Sequence, residues 1–184
     1  MEELGPIDAP PQTRDITSSA CKISGEGKAI IVVREPMIVC GIKLIPLIAK
    51  AFGAGEVTLH ENLDDGTETK PGQSIGTLIG PQAQILLIER TVLNFLQKLC
   101  GIATGTKRFV SLIEQHGVGL LDTRKTTPGL RSLEKYATGC GGGYNHRMGL
   151  YDRILAKDNH LAAASVDNPA KLELFVRDLK KSQP

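Results

Sequence analysis

Residues 117–160 read GVGLLDTRKTTPGLRSLEKYATGCGGGYNHRMGLYDRILAKDNH, and the order of apolar and turn-forming residues in this stretch decides the fold. Gly117 to Leu121 is an apolar run of the length of a short buried strand. Residues 129–138 place Leu130, Leu133 and Ala137 at helical spacing, and Arg153 to Lys157 reads as strand again. Strand, helix and strand over about 40 residues form a parallel crossover unit. Ligands of such units sit where the strands end. Arg124 and Lys125 follow the first expected strand directly, and Lys157 closes the second.

The charges in this stretch point the same way. Residues 122–160 carry seven Lys/Arg (Arg124, Lys125, Arg131, Lys135, Arg147, Arg153, Lys157) and two His (His146, His160) against Asp122, Glu134, Asp152 and Asp158. Crowded like charges repel by kilocalories unless water or an anion lies between them. A small ligand with several negative charges is the simplest guest that makes the cluster sensible.

Outward from this stretch the composition is ordinary. With 184 residues the chain holds one large domain or two small ones. The net charge of +2 makes the local excess a site feature and argues against nucleic-acid or membrane-surface binding by the chain as a whole. With no Trp and only 4% aromatics, stacking platforms for single strands are not expected. Cys21, Cys40, Cys100 and Cys140 show neither C-x-x-C pairing nor metal spacing, so they read as reduced, mostly buried thiols. Asp64-Asp65 reads as a turn and not as a metal site. There is no apolar signal region and no run approaching the ~20 residues that span a bilayer, so a cytoplasmic location is expected.

Taken in order, residues 1–14, with Pro6, Pro10 and Pro11, predict an extended lead. Cys21 to Arg34 has β character, and Val39 to Phe52 has helical spacing with Pro46 either starting or bending the helix. Val57 to His60 and Ser74 to Ile79 predict strands. From about Pro81 to Leu99 the stripe Ile85, Ile88, Val92, Phe95, Leu99 predicts a long helix. Its apolar flanks Leu86, Leu87 and Leu93 suggest burial on two sides, between domains or subunits. Gly101 to Gly105 is expected to interrupt it before a second helix reaching about Gln115, and Lys171 to Lys181 predicts one more helix.

Four segments, Glu89 to Leu96, Asp122 to Gly129, Gly141 to Arg147 and Lys157 to His160, together resemble the quinolinate phosphoribosyltransferase family in order and spacing over roughly residues 15–162. The resemblance implies an α/β fold. It consists of an N-terminal α/β sandwich-like domain with a long interface helix over residues 1–100, then an incomplete TIM-like α/β barrel carrying the substrate site over 101–184. It implies transfer of phosphoribose from phosphoribosyl pyrophosphate to quinolinate with decarboxylation, giving nicotinate mononucleotide for NAD biosynthesis, with Mg²⁺, in a homodimer or higher homo-oligomer. No nucleic-acid or membrane partner is implied.

By this similarity Arg124, His146, Arg147 and Lys157 hold the pyridine dicarboxylate, with Thr123 close by. Lys125 and Lys157 serve phosphate oxygens and are the catalytic candidates, and Arg90 reaches a neighbouring subunit's site. Planar guanidinium groups suit carboxylates and phosphates bidentately, which fits the assignment. His160 is expected to act through a hydrogen bond and not as a catalyst. The resemblance stops near residue 162, so the family's carboxylate ligands for Mg²⁺ are expected beyond residue 184, and no metal ligand is assigned here. The chain reads as shortened at its C-terminus. Two other functions stay open: a quinolinate-binding or regulatory subunit that is catalytically incomplete, and a related transferase for another anionic substrate.

Overall fold

A computed structural model describes residues 15–182, so the expected extended lead at residues 1–14 lies outside the described residues. The chain divides into two compact units, one up to His146 and one from Arg147 onward.

In the first unit a short helix α1 (Ile16–Ala20), capped by the Asp15 carboxylate, precedes β1 (Glu26–Val32). β1 falls within the stretch of expected β character and alternates, with Ala29 and Ile31 turned inward and Lys28, Ile30 and Val32 outward. β2 (Met37–Ile38) and a 3-10 turn (Ile42–Leu44) lead into α2 (Ile45–Ala51), where Pro46 sits in the first turn and so starts the helix instead of bending it. β3 (Thr58–Glu61), β4 (Glu68–Thr69) and β5 (Ser74–Pro81) follow.

β5 is the central strand of an antiparallel sheet ordered β1-β5-β3, and β2 pairs with β4 in a second, two-stranded sheet. Its central place explains why Ile75 to Leu78 are buried without alternation. At its end, Gly80 has a φ of 153°, and a Cβ there would lie 2.9 Å from the Glu56 carbonyl oxygen, so only glycine fits.

The long helix α3 (Gln82–Ile113) runs 32 residues without a break. The expected interruption at Gly101 to Gly105 is absent: a glycine inside a helix costs only about 1 kcal/mol relative to alanine, and burial of Cys100, Ala103 and Thr106 beside the glycines offsets that. Ile85, Ile88, Val92 and Leu96 close one core against the three-stranded sheet and α2. Leu99, Cys100 and Ala103 enter a second core with Ile38, Cys40 and Ala137. The expected burial on two sides is not completed within the described chain, since Leu86 is 45% exposed and Phe109 63% exposed.

A 3-10 turn (Glu114–His116) and Gly117 at φ 65° end this arm. The segment that follows departs from the expected strand: residues 117–119 are exposed, and pairing shrinks to one parallel bridge, Leu121 with Tyr144. α4 (Arg131–Cys140) lies between the two bridge residues and packs on α3. Gly141 allows this approach, because a Cβ there would sit 2.3 Å from the Ala103 carbonyl oxygen.

The second unit carries α5 (Asp158–Ala163) and α6 (Pro169–Ser182), and neither has a fully buried residue. α6 matches the predicted last helix. Arg153 to Lys157 forms no strand; these residues are exposed, and no described strand forms a ladder with them. An apolar run becomes a strand only when a neighbour offers a ladder of hydrogen bonds. Lys157 therefore caps α5 instead of closing a strand.

Candidate active site

The parallel bridge at Leu121 and Tyr144 brings two loops to the same end of the first unit. Asp122 N–H donates to the Tyr144 carbonyl (3.0 Å) and Tyr144 N–H donates to the Leu120 carbonyl (2.8 Å). Because the two segments run parallel, Thr123, Arg124 and Lys125 leave the bridge in the same direction as Asn145 and His146.

Asp122 locks the pair of loops. Its Oδ1 accepts from Lys135 Nζ at 2.5 Å and from the His146 amide at 2.8 Å. Lys135 Nζ also donates to the His146 carbonyl at 3.0 Å. With its side-chain amide oriented to satisfy both neighbours, Asn145 donates to Asp122 Oδ2 (2.7 Å) and to the Lys135 carbonyl (2.9 Å). Lys135 is 1% exposed, so this is a buried ion pair with its remaining lone pairs satisfied. Sequence reasoning counted Lys135 only as one more cation. No local signal separates it: Lys135 lies two residues from both Leu133 and Ala137, on the other side of α4, and shares its face with Arg131 and Thr138.

The 123–130 loop is braced by its own polar groups. Lys125 N–H donates to Thr123 Oγ1 (3.1 Å), and Arg131 Nε donates to Thr126 Oγ1 (3.2 Å). Thr127 N–H donates to Glu134 Oε2 (3.1 Å), whose other oxygen meets Lys98 Nζ at 3.0 Å. Desolvation alone would raise the Glu134 carboxyl, but the hydrogen bond from Thr127 and the contact with Lys98 outweigh it and hold the group below the usual carboxylate range.

Within this frame Thr123 and Lys125 are exposed, while Arg124 and His146 are half-buried. Arg124 Nε is enclosed and has no hydrogen-bond partner. A donor left so costs about 1–3 kcal/mol unless a ligand oxygen takes it up. Arg90 lies exposed on α3, four residues after Leu86.

Arg147 and Lys157 belong to the second unit. Arg147 is buried at 7% exposure, and its Nη1 donates to the Arg153 carbonyl (3.3 Å). Lys157 is exposed, with its amide donating to His160 Nδ1 (3.1 Å), so His160 acts as a helix cap. Asp152 folds the preceding turn by accepting from the Met148 (2.6 Å) and Gly149 (2.9 Å) amides. His60 and His116 are exposed, in keeping with surface roles.

The donors present do not suit Mg²⁺. Among the described residues, the group of three potential metal ligands that comes together is Cys40, Asp65 and Cys140, with two sulfurs and one carboxylate. Mg²⁺ takes oxygen ligands in near-octahedral geometry, which two thiols and one carboxylate do not offer. Among the described residues, no helix is long and apolar enough to cross a membrane.

Sheets and helices in this order, with a first parallel α/β crossover, define an α/β protein: an N-terminal sandwich-like part followed by the opening of a barrel. Solved structures agree. A nicotinate-nucleotide pyrophosphorylase from Ehrlichia chaffeensis superposes with a TM-score of 0.83 at 33% identity, covering 99% of this chain and 62% of that one. One from Francisella tularensis gives 0.77 at 40% identity, covering 83% and 55%.

Family models for the N-terminal and C-terminal domains of quinolinate phosphoribosyl transferase match residues 15–100 and 102–181, and the chain belongs to this family. It is 44% identical to a probable nicotinate-nucleotide pyrophosphorylase of Bacillus subtilis, over 89% of this chain and 54% of the relative. With the carboxylating pyrophosphorylase of Mycobacterium leprae it shares 39% identity, over 81% and 53%. The chain thus spans about half the length of these curated relatives.

Proposed function

We propose that this chain supplies the cationic part of a site that transfers phosphoribose from phosphoribosyl pyrophosphate to quinolinate, giving nicotinate mononucleotide, carbon dioxide and pyrophosphate. The observation that carries the reading is Arg124, whose enclosed Nε lacks a partner in a loop that Asp122 and Lys135 hold beside His146. A pyridine dicarboxylate satisfies that donor, and a guanidinium can meet a carboxylate with two parallel hydrogen bonds. Thr123 and His146 stand beside Arg124 for the rest of the ring, and exposed Lys125 suits phosphate oxygens as a compact charge. The family resemblance assigns further anion contacts to Arg147 and Lys157, and an inter-subunit contact to Arg90. With the two-sided apolar character of α3, that favours a homodimer or larger homo-oligomer, and the proposed setting is cytoplasmic.

Catalysis is then positioning plus electrostatics. The pyridine nitrogen attacks the anomeric carbon as the bond to pyrophosphate breaks, and Lys125 steadies the charge that develops on the leaving group. The ring nitrogen is now cationic, so the adjacent carboxylate leaves as carbon dioxide with its electron pair retained on the ring carbon. A proton from solvent completes nicotinate mononucleotide.

Calorimetric titration of the 184-residue chain with quinolinate and with the phosphoribosyl donor tests this. The reading expects quinolinate binding that Arg124→Ala weakens by about 1.5–3 kcal/mol, roughly 10- to 150-fold in Kd, with an unchanged melting temperature. Pyrophosphate release in the presence of Mg²⁺ separates an enzyme from a catalytically incomplete quinolinate-binding subunit. A related transferase for another anionic substrate would ignore quinolinate.

A further inference from the structure

Three segments far apart in the sequence meet beside the second core. Cys40 follows β2, Asp65 lies in the turn before β4, and Cys140 is the last residue of α4. The two sulfurs and a carboxylate oxygen all lie within 4.8 Å of one another. Cys40 is fully buried, while Asp65 and Cys140 are half-buried, which leaves a way in from one side.

The carboxylate is held in place. Asp65 Oδ1 accepts from the amides of Gly41 (2.9 Å) and Ile42 (3.1 Å), and Oδ2 accepts from the Tyr136 hydroxyl (2.9 Å). A carboxylate offers about four acceptor positions, so one remains. Hydrogen bonds of this kind orient ligating carboxylates in metal sites. Cys100 is committed elsewhere, accepting from the Cys40 amide (3.2 Å) and donating to the Cys40 carbonyl (3.4 Å).

We propose that Cys40, Cys140 and Asp65 form a binding site for a borderline-soft divalent cation of the zinc class, with water as fourth ligand. A sulfur–metal bond of about 2.3 Å in tetrahedral geometry sets the sulfurs about 3.8 Å apart, inside the 4.8 Å within which the three donor atoms lie. Sulfur ligands select zinc and its heavier congeners over Mg²⁺ or Ca²⁺. Each thiol yields its proton to solvent as its sulfur donates to the ion, and nothing is oxidised. The site is separate from the anion loops and stands whether or not quinolinate binds.

The test uses the 184-residue chain with Cys21→Ser, because Cys21 is exposed and would bind ions adventitiously. Under reductant, Cd²⁺ should add at one equivalent per chain with sulfur-to-metal charge-transfer absorption, and Zn²⁺ should displace it. Cys140→Ser and Asp65→Asn should each raise the Cd²⁺ Kd at least about tenfold. Asp65→Asn keeps an oxygen that accepts from the Gly41 and Ile42 amides, so it preserves the turn. In the chain with all three ligands, bound Zn²⁺ should protect Cys140 from alkylation, a readout that needs no ligand variant to fold. Absence of the charge-transfer band, an unchanged Kd in either variant, or alkylation of Cys140 indifferent to Zn²⁺ would overturn the proposal.

Discussion

A single buried carboxylate decides whether the candidate anion site has a shape. Asp122 is bonded at once to Lys135, the His146 amide and Asn145. Replacing Lys135 by Met leaves that charge buried without its partner, and such losses cost about 3–5 kcal/mol. Urea denaturation of Lys135→Met should show a fall of this size. At Gly141 the expected effect is steric: φ is –80°, so alanine fits the backbone, but its Cβ would press on the Ala103 carbonyl and Thr106. Gly141→Ala should lose about 1–3 kcal/mol by overpacking, read as a lower midpoint in the same experiment. At this scale the sequence was only half legible. Arg124 and Lys125 stand out in it as a charge pair after an apolar run, yet nothing adjacent to Lys135 marks it as buried. Cys40, Asp65 and Cys140 are separated by 25 and 75 positions, so no spacing rule joins them; the fold alone does.

Among the elements, α3 shows how burial overrides local propensity. No atom outside the helix lies within 4 Å of a Cβ built at Gly101 or Gly105, so these glycines are not demanded by packing. Gly101→Ala should stabilise the protein by about 0.5–1 kcal/mol, visible as a higher melting temperature. The glycines suggested a break because propensity is a local signal, whereas Leu99, Ala103 and Thr106 continue the buried stripe through them. Arg153 to Lys157 shows the reverse error: an apolar run suggests a strand, but a strand also needs a neighbour. β1 was legible because its apolar run acts within a few residues, while Pro46 marked the second helix but left open whether it starts or bends it. The turn closed by Asp152 has a pH dependence of definite sign. Hydrogen bonds from the Gly149 and Met148 amides hold its carboxyl below the usual range. The contribution of these bonds is therefore present above the ordinary carboxylate pKa and is lost as pH falls through the lowered value. The protection of those two amides against exchange, measured by NMR relative to the unprotected rate at each pH, should fall on acidification, and Asp152→Asn should abolish that dependence.

Over the whole molecule, stability should be uneven. The first unit contains both apolar cores, whereas α5 and α6 in the second bury no residue completely, and Leu172, Leu174 and Val176 remain 40% or more exposed. Segments with little buried surface open far more readily than a core. Amides of α5 and α6 should exchange at least about 100-fold faster than those around Val92 and Leu99, and limited trypsin digestion should cut after the exposed Arg153 or Lys157 before it touches α3. The long helix has a consequence of its own. At 1.5 Å per residue its 32 residues extend about 48 Å. The two family models meet at residues 100–102, in the middle of that rod. An engineer who splices this chain there to exchange halves with a relative inherits two stumps, each missing the turn that seats it. Chimeras joined beyond Ile113 would keep the rod whole and give both halves a common axis.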